Sequence, residues 1–127
     1  MQYYSPYTVW NYRYNVVDAQ NIAAGIGIQH IAEAPAIFGV DSNINGSWAS
    51  YKTYNSNMVP VMMDYWLSFI RSLDPNTFKS LLAPVWQPYQ GNLRVVFQTN
   101  NSQMETVPTS QRHRCDFWGQ LAAKMEQ

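Results

Sequence analysis

One histidine stands in a stretch of mainly small and apolar residues, Gly27-Ile28-Gln29-His30-Ile31-Ala32-Glu33-Ala34-Pro35-Ala36-Ile37-Phe38-Gly39. Upstream, the segment from Thr8 to Val16 alternates between aromatic and polar residues with the period of two that predicts a β-strand. Between them, Gly25 and Gly27 permit a left-handed backbone that other residues avoid. The sequence therefore predicts a loop that presents His30 at the end of a sheet.

The segment after His30 is organised around one clear helix. Residues 41–57 are rich in Asn, Ser and Gly and predict a loop, whereas Ala32 to Phe38 predicts a short helical turn or an irregular piece. The helix is predicted from about Met58 to Ser72, with Asn57 as a candidate N-cap and Asp74-Pro75-Asn76 as the stop. Its apolar residues form one predicted stripe of Val59, Met62, Met63, Trp66, Ile70 and Leu73.

The last third of the chain predicts a hairpin and a helix. Leu93 to Gln98 and Met104 to Val107 are separated by a polar turn, and a helix begins near Thr109 or Ser110. One face of that helix carries Cys115, Trp118, Leu121, Ala122 and Met125, so we expect Cys115 to pack. The order predicts an α/β arrangement with an incomplete sheet, in which the first strand lacks its neighbours and has two unpaired edges.

Composition excludes several classes of protein. Lys plus Arg equals Asp plus Glu at eight each, so no basic surface for nucleic acid or an anionic membrane is expected. Polar residues and prolines or glycines interrupt the apolar segment from Ile22 to Phe38, which is therefore not a predicted membrane span. The N-terminus has no basic region followed by an apolar run, so no signal peptide is predicted. The lone Cys115 leaves the compartment open.

His30 is the main candidate for chemistry. An unperturbed histidine titrates near neutral pH, which suits general acid–base catalysis, although a hydrogen-bonded packing role is the common alternative. Gly46-Ser47-Trp48 lacks the second glycine of a nucleophile elbow, so no serine in this chain is an evident partner. His30 with Glu33, or His113 with Cys115, does not match a zinc-site spacing. No metal and no cofactor are predicted.

The residues around His30 resemble the histidine segment of the type-B carboxylesterases and lipases, the family that includes the cholinesterases. The family pattern is Gly-x-x-His-x-x-Glu, then a small or apolar residue, three variable residues and Phe-Gly. Further similarities follow in order through most of the chain, in Met63-Asp64-Tyr65-Trp66-Leu67-Ser68-Phe69, Leu73-Asp74-Pro75-Asn76, Val85-Trp86-Gln87-Pro88-Tyr89 and Arg114-Cys115-Asp116-Phe117-Trp118. Five weak elements in the right order make the resemblance specific.

The resemblance implies that residues 1–127 are the C-terminal segment of a carboxylesterase type-B domain with an α/β-hydrolase fold. The implied chemistry is hydrolysis of carboxylic esters through an acyl-serine intermediate. By position His30 would be the base of the catalytic triad, Glu33 a supporting carboxylate beside it, and Gly27 would let the loop approach the site.

The resemblance also implies what the chain lacks. In this family the serine, the acid and the oxyanion-hole glycines precede the histidine, so we expect no esterase activity from the chain alone. Two residues depart from the family pattern: Ile31 follows the histidine where glycine is usual, and Leu73 replaces the glycine before Asp-Pro. The family is often secreted, but the compartment of this chain is unknown.

Three interpretations remain open. The chain is the severed C-terminal portion of an esterase, or one half of a two-chain enzyme, or a non-catalytic binding or adhesion module of cholinesterase-like shape. An ester substrate is expected only if the N-terminal part of the fold completes the site, through a possible partner chain in the second interpretation. The intact His30 and Glu33 favour the first two.

Overall fold

The computed structural model describes residues 8–41 and 49–125, and this part of the chain forms a small sheet with helices packed around it. The elements follow one another as β1 (Tyr12–Asn15), α1 (Ala19–Ala23), α2 (Ala34–Phe38), a 3-10 helix (Ala49–Lys52), α3 (Met58–Ser72), β2 (Leu93–Gln98), β3 (Gln103–Thr106) and α4 (Thr109–Met125). Residues 42–48 of the predicted loop lie outside the described part. The 3-10 helix replaces part of that loop because it buries the aromatic ring of Tyr51.

The three strands form one sheet in the order β1-β2-β3. Strand β1 pairs in parallel with β2, with Tyr12 opposite Val95, and β2 pairs antiparallel with β3, with Arg94 opposite Glu105. The expectation that the first strand lacks both neighbours is therefore wrong, because β2 returns from the far end of the sequence to cover one edge. Within residues 8–41 and 49–125 nothing pairs with the other edge of β1, so the sheet is incomplete as expected.

Helix α3 covers one face of the sheet and has the predicted bounds. Its side chains meet Val95 and Phe97, both fully buried, and the ring of Tyr65 lies 5.7 Å from that of Phe97. The predicted stripe is largely wrong about the buried face, which consists of Met58, Val61, Met62, Tyr65 and Ser68. Ile70 and Leu73 of the predicted stripe are exposed to 71% and 73%. The helix is apolar on two faces, and only one of them lies against the sheet.

The N-terminus of α3 differs from the predicted capping, whereas its C-terminus lies just before the predicted stop. The Asn57 side chain makes no cap hydrogen bond, because Asn57 is already helical and the carbonyl groups of Asn55 and Ser56 accept the first free N–H groups. At the other end Leu73 adopts a left-handed conformation with φ of 58°, and its N–H bonds to the carbonyl of Phe69. This is the αL type of helix end, which glycine normally occupies.

The other face of the sheet meets the beginning of α4. Arg94 donates from Nη2 to Oε1 of Gln111 at 3.0 Å. Beyond that point α4 is mostly exposed, and Cys115 is exposed rather than packed, because nothing among the described residues covers the predicted apolar face. None of the helices described is both long and apolar enough to cross a membrane.

Candidate functional site

The chain that leaves β1 is fixed by polar side chains from two distant segments. Asn55 is almost fully buried, and its Nδ2 donates to the carbonyl of Val17 at 2.8 Å. The hydroxyl of Thr99 donates to Oδ1 of Asn55 at 2.8 Å and accepts from the N–H of Val17 at 3.3 Å. Asp18 then caps α1 by accepting from the N–H groups of Gln20 and Asn21. The start of the histidine segment is thus held on both sides.

The predicted glycine turn carries the chain from α1 to His30. Gly25 and Gly27 have φ values of 71° and 72°, which confirms the left-handed backbone expected from the sequence. The turn closes through the N–H of Ile26 and the carbonyl of Asn21, 2.9 Å apart. His30 follows on the surface, and no group in the described part of the chain is hydrogen-bonded to its imidazole. The ring is therefore available to a group from outside these residues.

Ile31, next to His30, has a backbone conformation that β-branched residues rarely adopt. Its φ is 69°, and its side chain is nearly half exposed. Hydrogen bonds hold this conformation from both sides, from the N–H of Ala32 to the carbonyl of Gln29 and from the N–H of Ala34 to the carbonyl of Ile31. Strain of this kind persists only where the surrounding structure enforces it, and it is concentrated at functional sites. The departure from the family glycine thus lies at a position with a physical need for glycine.

A pair of buried tyrosines lies behind the histidine loop. The hydroxyl of Tyr51 donates to the carbonyl oxygen of Ala32 at 2.7 Å, and the hydroxyls of Tyr14 and Tyr51 are joined by a short hydrogen bond. Burial raises the pKa of Tyr51 to about 12, although the bond from Tyr14 opposes the shift. Burial also raises the pKa of Tyr14 strongly, with the adjacent Tyr51 as a further cause. Both hydroxyls therefore keep their protons at neutral pH.

Glu33 precedes α2 and is half-buried. Its Oε1 accepts a long hydrogen bond of 3.5 Å from the hydroxyl of Tyr12, and its side chain makes no cap bond to α2. The pKa of Tyr12 is raised, mainly by burial and then by the charge of Glu33. The charge of Glu33 is a minor further cause of the raised pKa of Tyr14 and Tyr51.

An apolar groove of about 410 Å³ lies between β1 and α3, on the side of the sheet to which Tyr12 belongs. Its rings are stacked edge to face, with 5.8 Å between the centroids of Trp10 and Phe69 and 5.4 Å between those of Tyr12 and Trp66. The groove is lined by Thr8, Val9, Trp10, Tyr12, Tyr65, Trp66, Phe69, Pro75 and Trp86. An open groove lined mainly by apolar and aromatic side chains is a candidate surface for cover by another part of the protein.

The predicted site residues share one segment but form no complete site. Gly27, His30 and Glu33 are placed by the same loop, and no hydrogen bond joins the imidazole to the Glu33 carboxylate in the described part. Gly46-Ser47-Trp48 lies outside the described residues. In residues 8–41 and 49–125 no three His, Cys, Asp or Glu side chains form a group that could hold a metal ion.

The sequence did not predict the hydrogen bonds that connect Tyr14 and Tyr51 to the histidine loop. Tyr14 lies in the segment predicted as a strand, and Tyr51 falls within the segment predicted as loop. The one available signal was a tyrosine in an otherwise polar stretch, which does not identify the carbonyl group that it reaches.

Comparison with known proteins identifies the family to which the chain belongs. A model described as the carboxylesterase family matches residues 1–118. The structure also resembles that titled "Crystal Structure of Aspergillus niger EstA", with a TM-score of 0.87 and 46% sequence identity. That match covers 94% of this chain and 23% of the EstA chain, so the chain spans about a quarter of EstA. The fold class is confirmed as an incomplete part of an α/β-hydrolase fold, and the chain belongs to the carboxylesterase family.

Proposed function

We propose that this chain supplies the histidine of a carboxylic ester hydrolase and that the rest of the fold supplies the other catalytic groups. The observation that carries the proposal is the position of His30. Its imidazole is exposed on a loop fixed from behind, in a chain 46% identical to EstA. A structural histidine would be expected to have a hydrogen-bond partner nearby, whereas a base that awaits a serine from another segment needs a free ring nitrogen.

The proposed chemistry is acyl transfer. His30 takes the proton from a serine hydroxyl as that oxygen attacks the ester carbonyl, and it then returns the proton to the departing alcohol. Water repeats the sequence on the acyl-serine and releases the carboxylic acid. Glu33 supports the loop beside the base, and Gly27 lets its backbone turn toward the site. These steps require no metal and no cofactor.

Completion of the site requires contact with the remaining part of the fold. The open edge of β1 offers unpaired backbone groups for another strand, and the groove between β1 and α3 offers an apolar surface for the same neighbour. We expect the chain alone to bind ester substrates weakly and to turn none over. The partner is the upstream part of an esterase, on the same chain or on a separate one.

The test is a chimaera in which this chain replaces the matching segment of EstA. We expect it to hydrolyse p-nitrophenyl butyrate and to lose at least about a thousandfold in kcat on His30→Ala. The matched control is His113→Ala, which removes an exposed histidine from α4 and should leave kcat unchanged. The proposal would be contradicted by turnover of the ester by the isolated chain, or by an active chimaera whose kcat does not change on His30→Ala.

A non-catalytic binding module is the second candidate, because Phe117 and Trp118 on α4 are more than half exposed and suit a protein partner. The same chimaera separates the two candidates. A folded but inactive chimaera, with an intact EstA serine, would favour the binding module.

A further inference from the structure

We infer that Tyr51, with Tyr14 behind it, is a positioning residue for His30. The inference rests on the proposed catalytic role of His30 and names the part of the chain that holds this residue in place. Tyr51 lies on the 3-10 helix and Tyr14 on β1, so the two hydroxyls connect the sheet to the histidine loop through a segment distant from both in sequence.

The direction of the two hydrogen bonds follows from the number of protons. A tyrosine hydroxyl has one proton to donate, and that of Tyr51 is donated to the carbonyl oxygen of Ala32. The bond between the two hydroxyls must therefore use the proton of Tyr14, with the oxygen of Tyr51 as acceptor. The relay runs from Tyr14 to Tyr51 to Ala32. A hydroxyl that already accepts a hydrogen bond is also a better donor, because successive bonds polarise one another.

The relay is buried and keeps its protons. Tyr51 is buried, and Tyr14 packs against the same core. With the pKa of Tyr51 raised to about 12, neither bond is lost through ionisation anywhere near the pH at which a histidine acts as a base.

The anchored carbonyl lies two residues after His30, with the strained Ile31 between them. Ala32 is buried, and the bond from Tyr51 to its carbonyl oxygen fixes the backbone on the C-terminal side of Ile31. Without that bond, Ile31 gains freedom to leave φ of 69° for an ordinary conformation, and the change in backbone direction would move the His30 ring. A displacement of about 1 Å is enough to impair catalysis.

The first experiment measures amide hydrogen exchange in the full chain, because it does not depend on activity. In Tyr51→Phe we expect the amides of Ala32 and Ala34, which close the loop, to exchange about tenfold faster. The matched control is Tyr65→Phe, since Tyr65 is also buried and donates to a backbone carbonyl, that of Pro84. It should speed exchange at Ala83 and Trp86 but not in the histidine loop.

Tyr14→Phe completes a double-mutant cycle on the same amides. It removes the bond into Tyr51 but not the bond from Tyr51 to Ala32, so its effect should be smaller, about threefold. In the Tyr51→Phe background it should add almost nothing, because the relay is already broken. Additive effects, equal effects of Tyr51→Phe and Tyr65→Phe on the loop, or an unprotected loop in the unchanged chain would overturn the inference.

The second experiment uses the EstA chimaera and separates this inference from the proposed function. With p-nitrophenyl butyrate, Tyr51→Phe should lower kcat about tenfold and leave KM unchanged, whereas the control His113→Ala should change neither. An unchanged kcat in an active chimaera overturns the positioning role alone. A chimaera without any His30-dependent activity contradicts the proposed function. The exchange measurements then decide whether the relay from Tyr14 through Tyr51 to Ala32 holds the histidine loop.

Discussion

Glu105 on β3 lies directly opposite Arg94 on β2, and its Oε1 accepts a hydrogen bond of 2.7 Å from Nε of that arginine. The same carboxylate receives two bonds of 2.8 Å from Arg13 on β1, which reaches across the central strand. One acidic side chain therefore joins all three strands on the face opposite α3. Arg94 is only 6% exposed, so its charge depends on Glu105 and on the amide of Gln111 for compensation.

Glu105→Gln should destabilise the chain by about 2 to 3 kcal/mol, because it leaves the buried charge of Arg94 without a counter-charge. The free energy of unfolding in urea measures this change. The matched control is Asp41→Asn, which breaks the exposed ion pair of Asp41 with Lys52, 2.7 Å apart, and should cost less than about 0.5 kcal/mol. Equal losses in the two variants would show that the carboxylate at the sheet has no special role.

The stabilising contribution of the Glu105 carboxylate should also be visible in the pH dependence of the free energy of unfolding. The bonds from Arg13, with those from Arg94, lower the pKa of Glu105 to about 2, below its unfolded value of 4.5. A lowered folded pKa stabilises the fold above the unfolded pKa, and this contribution is lost as pH falls from about 4.5 through about 2. The difference in unfolding free energy between the unchanged chain and Glu105→Gln should therefore narrow by about 1 to 2 kcal/mol over that interval. A difference that is constant with pH would contradict the assignment.

Ile31→Gly and Leu73→Gly should each stabilise the chain by about 0.5 to 1 kcal/mol. Both residues have positive φ, 69° and 58°, and glycine relieves the steric cost although it adds entropy to the unfolded chain. Leu73 is the cleaner test because its side chain is 73% exposed and loses few contacts. Leu73→Ala keeps the Cβ atom and should give no gain, so thermal unfolding of the three variants separates backbone strain from side-chain packing.

Local signals in the sequence predicted much of the fold. The bounds of α3 agree because apolar spacing and Asp74-Pro75 mark them, and the hairpin is placed to within about one residue at each end. The pairing of β1 with β2 was missed because those strands lie about 80 residues apart, and no local pattern specifies such a partner. The buried face of α3 was misassigned because a helix that is apolar on two sides has no unique stripe.

The candidate site was predicted less completely. His30, Glu33 and Gly27 stay predictions that rest on one motif, and the left-handed backbone before the histidine follows from Gly25 and Gly27 themselves. The bond from Tyr51 to Ala32 could not be predicted, because it depends on how the 3-10 helix lies against the loop. Ile31 and Leu73 were noticed as departures from a glycine pattern, and the structure adds the reason why those positions favour glycine.

The most direct test of the central claim is chemical rescue of His30. In the EstA chimaera, His30→Gly should abolish hydrolysis of p-nitrophenyl butyrate. Imidazole added to the solution should restore part of this activity in proportion to the imidazole concentration, because the exposed position of His30 is accessible to a free base. Imidazole should leave His113→Gly, on exposed α4, unaffected. Restoration specific to His30→Gly would establish this residue as the base, and an active His30→Gly chimaera that ignores imidazole would contradict the account.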